Sequence, residues 1–271
     1  MYEHILVSIS NPRDAQPAVQ TALGLARQSE ATIELVGLGR HTRGPLAQVA
    51  QDAAADTPVP VAVAFPDPPY APALEHLIRS HGIDLVVISA REASARQGPL
   101  SSRMQAVIGA AAVPVLFIPG PGRPWRELPH PVFRRLVVTL DGSSLAESVI
   151  PHVLRLDQPA DLEITLLAVA PLGQNGDEPY LARVADELRG RGARVHTHVA
   201  HDEHAAGGIV LYAYMNNMEL IAMSTHGRGG LSRILLGSVA ERVMRLTALP
   251  VLLWRPGDAE PLAGTPAGTV A

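Results

Sequence analysis

IAMSTHGRGGLSRILLGSV, from Ile221 to Val239, is the stretch from which the fold can be read. An apolar run, Leu220 to Met223, ends in a small polar turn, passes through glycines and re-enters a periodic segment at Gly237-Ser238. Strand, glycine-rich loop and helix N-terminus in that order make one βα unit. At such a junction the backbone N–H groups point outward without partners and the helix dipole favours an anion, which is how backbone holds phosphate. Arg228 and Arg233 stand on the same loop and could screen phosphate charge.

Outward from this unit the chain repeats itself. His4-Ile5-Leu6-Val7-Ser8-Ile9-Ser10 resembles Arg135-Leu136-Val137-Val138-Thr139-Leu140-Asp141, an offset of 131. Ile83 to Ser89 resembles Met218 to Ser224 at an offset of 135, and Val113 to Ile118 resembles Leu249 to Trp254 at 136. A period this long is domain-sized, not that of a solenoid. The first copy predicts strands at Ile5–Ile9, Thr32–Leu38, Val59–Ala64, Asp84–Ser89 and Val115–Ile118. Helices are predicted between them at Ala15–Gln28, Leu46–Ala55, Ala71–Ser80 and Ser102–Ala111. The second copy repeats the alternation from Leu136, Leu145, Leu162, Tyr180, Ala193, Ala205, Glu219, Gly237 and Val251. Near-continuous Val/Ile/Leu strands have both faces covered, and strand–helix alternation gives right-handed crossovers and a parallel sheet. The expected fold is therefore α/β: two tandem doubly wound domains, each a five-stranded parallel sheet flanked by helices. The expected boundaries are 1–122 and 133–256, joined by the Gly/Pro-rich stretch around Gly120–Trp125, with 257–271 a mobile tail.

Composition narrows the chemistry. The 271 residues are 47% hydrophobic but only 4% aromatic, so the core must be built from Val, Leu, Ile and Ala. A net charge of −4 supplies no basic excess for a nucleic-acid backbone, so no nucleic-acid partner is expected. All 22 Lys+Arg residues are arginine, which removes a P-loop lysine and Schiff-base chemistry. With zero cysteines there is no disulfide and no thiolate site. The opening MYEHILVSIS lacks a signal-peptide pattern and no apolar run reaches membrane-spanning length, so a cytoplasmic chain without membrane contact is expected.

In a doubly wound sheet, ligands sit beyond the carboxyl ends of the strands at the switch in strand order. Asp141-Gly142-Ser143-Ser144 and Ser224-Thr225-His226-Gly227 follow two strands that such a sheet makes neighbours. Asp141 offers a carboxylate to ribose hydroxyls or a base amine, and the Gly227 loop offers N–H groups at close range. Gly237-Ser238 opens a helix, with Val239 in its first turn. Each feature alone has a plainer reading, a turn with an N-cap in one case and a glycine-rich loop in the other. Together they point to a bound ligand.

These residues resemble the universal stress protein family. Its signature is Gly, two residues, Gly, nine residues, Gly, then Ser or Thr. Ser224-Thr225-His226-Gly227, nine residues, then Gly237-Ser238 matches except at the first glycine, where Ser224 stands. The opening VVTLDGSSLAE matches as well, and the layout, though not the motif, extends to the first copy. The resemblance implies an adenine nucleotide alpha hydrolase-like fold and an ATP site, with or without Mg²⁺. By that resemblance Asp141 bonds the ribose or adenine end, Val169 lies along the adenine, and Gly227, Gly237 and Ser238 hold phosphates, with His226 and Arg228 in the loop. It also implies a stress-response sensor or regulator, not an enzyme beyond weak ATP hydrolysis, so no catalytic residue is assigned. The family's final strands join domains across a two-fold interface, so Val115–Ile118 and Val251–Trp254 are the expected pairing strands. The pairing is either between the two copies of one chain or in a homodimer.

The first copy departs from the signature. Ser10 replaces the Asp, Glu92 falls near the Gly227 position, and Ser101-Ser102 replaces Gly237-Ser238. One nucleotide site per chain follows. Two rival readings use the same fold: a nucleotide-free interaction scaffold and a slow ATPase. VHTHVAHDEH, Val195 to His204, carries four histidines that could ligate zinc or copper, but a solvated edge-strand cluster explains them more simply, and no metal site is expected. A Ser/His/Asp hydrolase lacks its G-x-S-x-G elbow, and a dinucleotide fold lacks G-x-G-x-x-G after the first strand.

Overall fold

The computed structural model describes residues 1–11, 15–38, 42–55, 59–67, 69–90, 102–119, 133–225 and 236–256. The first half contains β1 (His4–Ile9), α1 (Gln16–Ser29), β2 (Thr32–Gly37), α2 (Arg43–Ala55), β3 (Val61–Ala64), α3 (Tyr70–Ser80), β4 (Leu85–Ala90), α4 (Ser102–Ala110) and β5 (Val115–Pro119). The second contains β6 (Arg135–Thr139), α5 (Ser144–Glu147), α6 (Ile150–Val153), β7 (Glu163–Ala170), α7 (Glu178–Arg189), β8 (Arg194–His201), α8 (Ala205–Met215), β9 (Leu220–Ser224), α9 (Ser238–Leu246) and β10 (Val251–Trp254).

All ten strands join one sheet in the order β3-β2-β1-β4-β5-β10-β9-β6-β7-β8. Within each half every pairing is parallel. The halves meet antiparallel, with Val251 opposite Phe117, Leu252 opposite Leu116 and Leu253 opposite Val115. The final strands thus pair within one chain. Strand alternation sends Ile5, Val7, Leu136 and Val138 to one face and Leu6, Val86, Val137 and Ile221 to the other. The first face packs under α1, α2, α5, α6 and α7, and the second under α3, α4, α8 and α9. Both apolar layers run unbroken through both halves.

The two halves solve the same local problems with matching residues. Tyr2 and Phe133, 131 apart, are both buried just ahead of their first strands. Asp84 accepts hydrogen bonds from the Glu3 and His4 amides, and Glu219 accepts them from Arg134 and Arg135. The halves also grip each other beyond the sheet. The Tyr2 hydroxyl donates to the His152 carbonyl at 2.8 Å, and Arg155 lies over the Tyr2 ring while pairing with Asp84. Gln28 donates to Asp157 at 3.3 Å.

One expected element is divided. The helix predicted from Leu145 forms as two short pieces, α5 and α6, because Pro151 has no N–H to give the Glu147 carbonyl. Pro17, by contrast, sits in the first turn of α1, where no N–H is required, and that helix runs for 14 residues. β3 begins at Val61, two residues later than expected, after Pro60.

Candidate functional site

β6 and β9 are hydrogen-bonded neighbours, with Val138 opposite Ala222. The chain leaves β6 for β7 on one side, while β9 and β10 lie on the other, so the switch in strand order falls between β6 and β9. The Asp141 and Ser224-Thr225 segments therefore emerge side by side at the carboxyl edge of the sheet. This is the placement in which an α/β sheet opens a crevice.

Asp141 is exposed at the first of these ends. Its carboxylate accepts from the Ser143 amide at 3.0 Å and the Ser143 hydroxyl at 2.6 Å. Ser143 in turn caps α5, its hydroxyl accepting from the Ala146 amide at 3.1 Å. Gly142 between them has φ +84°, a left-handed turn open to glycine. The turn-with-cap reading and the ligand reading thus describe one arrangement, because the cap fixes the carboxylate at the strand end.

At the second end, Ser224 and Thr225 are buried, and the Thr225 amide donates to the Trp254 carbonyl at 2.7 Å. The Gly237 amide donates back to the Thr225 carbonyl at 2.8 Å. A Cβ on Gly237 would stand 2.5 Å from that same oxygen. Only glycine lets the N-terminus of α9 close onto the end of β9. The Gly237 amide is already bonded, so its role in the structure is close approach. The donors without intrahelical partners are the first-turn amides of Ser238, Val239 and Ala240. Among the described residues no side chain caps α9. Ser238 and Val239 are exposed. His226, Gly227, Arg228 and Arg233 lie outside the described residues, as does most of the corresponding first-half loop, including Glu92 and Ser101.

Val169 is the last residue but one of β7, half-buried, with its methyls 3.0 and 3.4 Å from where a Gly208 Cβ would sit. Three exposed apolar side chains, Leu145, Leu172 and Val239, belong to the segments following β6 and β7 and opening α9. Sequence reading assigned no role to Tyr180. It stands in the first turn of α7, whose N-cap Asp177 accepts from the Tyr180 amide at 3.1 Å. Its phenol oxygen is buried and has no hydrogen-bond partner among the described residues. Burial first, then the charges of Glu147 and Asp141, push its ionisation above the ordinary tyrosine value. The group is a neutral donor set close to two carboxylates. Glu147 is paired with Arg183 at 2.9 Å. A tyrosine three residues after an Asp cap was the available signal, but its direction depends on how α7 packs on β7.

In the first half, Ser10 stands where β1 ends. Gly37, which matches Ala168 in strand register, is covered. A Cβ there would meet the Thr42 hydroxyl at 2.5 Å and the Phe65 ring at 2.8 Å. Side chains from this half's own loops occupy the space over the end of β2.

The histidine-rich strand β8 lies at the sheet edge. His196 approaches Glu163 at 3.7 Å, and His198 stacks on Tyr212 with ring centres 4.6 Å apart. Among the described residues no group of three or more metal-ligating side chains converges. Among the same residues no helix is long and apolar enough to cross a membrane.

Residues 133–255 match the model of the universal stress protein family. A universal stress protein of Methanocaldococcus jannaschii is 30% identical over 141 residues, covering 45% of this chain and 82% of that protein. One from Synechocystis is 25% identical over 177 residues, 64% of this chain and 58% of that protein. The crystal structure of a universal stress protein from Archaeoglobus fulgidus superposes with a TM-score of 0.73 at 20% identity. It covers 94% of this chain and 98% of its own, so the whole two-half fold is shared.

Proposed function

This chain belongs to the universal stress protein family, and from that premise we propose that its second half binds an adenine nucleotide, ATP foremost, as a stress-response sensor or regulator. On this reading residues 133–256 form the binding unit and residues 1–122 a structural partner without a site. The carrying observation is the parallel pairing of β6 with β9, which sets the strand end carrying Asp141 beside the one carrying the Thr225–Gly237 contact. A carboxylate suited to hydroxyl or amine groups stands on one side. On the other are the first-turn amides of a nine-residue helix, suited to phosphate. Ser10 and the covered end of β2 support a single site per chain. The nucleotide fills its place by hydrogen bonding and electrostatics. No residue is assigned a catalytic step.

Isothermal titration calorimetry with ATP, ADP and AMP tests the proposal. Wild-type protein is expected to bind ATP. Asp141→Ala weakens binding by roughly 10- to 100-fold, the loss expected for a hydrogen bond to a charged group. Ser143→Ala keeps the carboxylate and retains binding, which separates ligand contact from loop support. Gly237→Val abolishes binding, with circular dichroism checking that the sheet survives the contact with Thr225. Wild-type protein that binds no nucleotide, or equal ATP binding by wild type and Asp141→Ala, would overturn it.

A further inference from the structure

α3 and α8 occupy the same place in the two halves, and each has 11 residues. Their buried faces agree: Leu74 and Ile78 correspond to Ile209 and Ala213. Their outer faces do not. On α3 the exposed positions carry Glu75, His76, Arg79 and Ser80, with a Glu75–Arg79 ion pair at 3.5 Å. At the positions of His76, Arg79 and Ser80, α8 carries Leu211, Tyr214 and Met215, exposed by 59%, 77% and 68%. Leu246, at the end of the adjacent helix α9, is 54% exposed. α8 contains no Asp, Glu, Lys, Arg or His at all. The repeat supplies its own control, since the fold needs only the buried face of this helix and the first half solvates the rest.

We propose that this face, centred on Leu211, Tyr214 and Met215, is a homodimer interface that meets the same face of a second copy across a two-fold axis. Three observations select a second copy as the occupant. A charge-free helix can lie against itself without bringing like charges together, as a self-complementary contact requires. With Leu246, the three residues expose about 500 Å² of largely apolar surface on one copy, at the upper end of a typical largest patch. Complete burial on two copies would remove about 1,000 Å², the size at which a specific interface begins. The strands through which halves of this kind pair, β5 and β10, are already joined within the chain, so a second copy must meet another surface. At the open sheet edge, β8 offers Arg194, His196, Thr197 and His198 outward, a polar strand. The proposal stands independently of nucleotide binding.

Sedimentation velocity of the full chain at micromolar concentration tests it. Wild type is expected to sediment as a dimer of twice 28.7 kDa. Leu211→Glu and Tyr214→Glu are expected to sediment as monomers, weakening association by about tenfold or more. Arg79→Ala, at the matching place on α3, leaves the dimer intact. The circular dichroism spectrum stays that of the wild type because both substituted side chains are exposed on the single chain. Should Tyr214→Glu disturb the fold, Tyr214→Ser removes the ring without adding charge. A wild type that stays monomeric, a dimer that survives both α8 substitutions, or one equally lost in Arg79→Ala would each overturn the proposal.

Discussion

His152 is a neutral histidine held between the halves. Its ring lies 4.0 Å from that of Trp254, and its Nδ1 is buried without a hydrogen-bond partner among the described residues. Burial first, and then the Arg155 guanidinium, lower its pKa from 6.5 to about 4. In the unfolded chain it titrates at its ordinary value, so between those two pH values the unfolded state binds a proton that the folded state refuses. Stability is complete above about pH 6.5 and falls as the pH drops towards 4. The wild type is expected to lose about 2–3 kcal/mol more than His152→Gln between pH 7 and 4.5. Urea unfolding of both proteins across that range measures it, and parallel losses would count against this account. At the site, the places of Asp141 and Gly237 were legible in the sequence because they follow from local patterning: a carboxylate after a strand, and a glycine before a helix. The role of Gly237 was not. Its close approach to the Thr225 carbonyl, which leaves no room for a Cβ, is a tertiary contact that no local pattern announces. Tyr180 was missed for the same reason, since the course of α7 over β7 decides where its hydroxyl ends up.

Among the elements, the β5–β10 joint carries the assembly. Leu116 and Leu252 stand opposite each other there, both with no solvent exposure. Leu116→Ala and Leu252→Ala are each expected to cost about 2–5 kcal/mol, as buried leucine truncations do. Denaturant unfolding is expected to place the two losses close together because the sites face one another. A loss confined to one of them would mean that the joint bears weight on one side only. Element by element the fold was almost fully readable, because apolar runs covered on both faces leave little ambiguity between strand and helix. The exceptions trace to prolines. Pro151 interrupts the helix that follows β6, and Pro60 delays β3, both by withholding an N–H. Family resemblance pointed to the final strands as pairing strands but left open whether both partners lie in one chain, since an apolar strand reads alike whether its neighbour is parallel or antiparallel.

The molecule as a whole has two apolar layers, and each passes through both halves without a break. The Tyr2–His152 hydrogen bond and the Arg155–Asp84 pair tie the halves on one face as well. Unfolding one half would strip cover from the other. A single calorimetric transition is therefore expected, with equal calorimetric and van't Hoff enthalpies. Two resolved transitions would show the halves to be independent. Joining the two halves in one polypeptide has a further effect. Separate subunits come apart on dilution and exchange with identical copies, so every copy must keep whatever function the pair requires. Here the stoichiometry is fixed by the peptide bond and neither half can be replaced by a duplicate of the other. One half is thereby free to fill the end of its own strand β2 while the proposed nucleotide site is left to the other, and the asymmetry persists at any concentration.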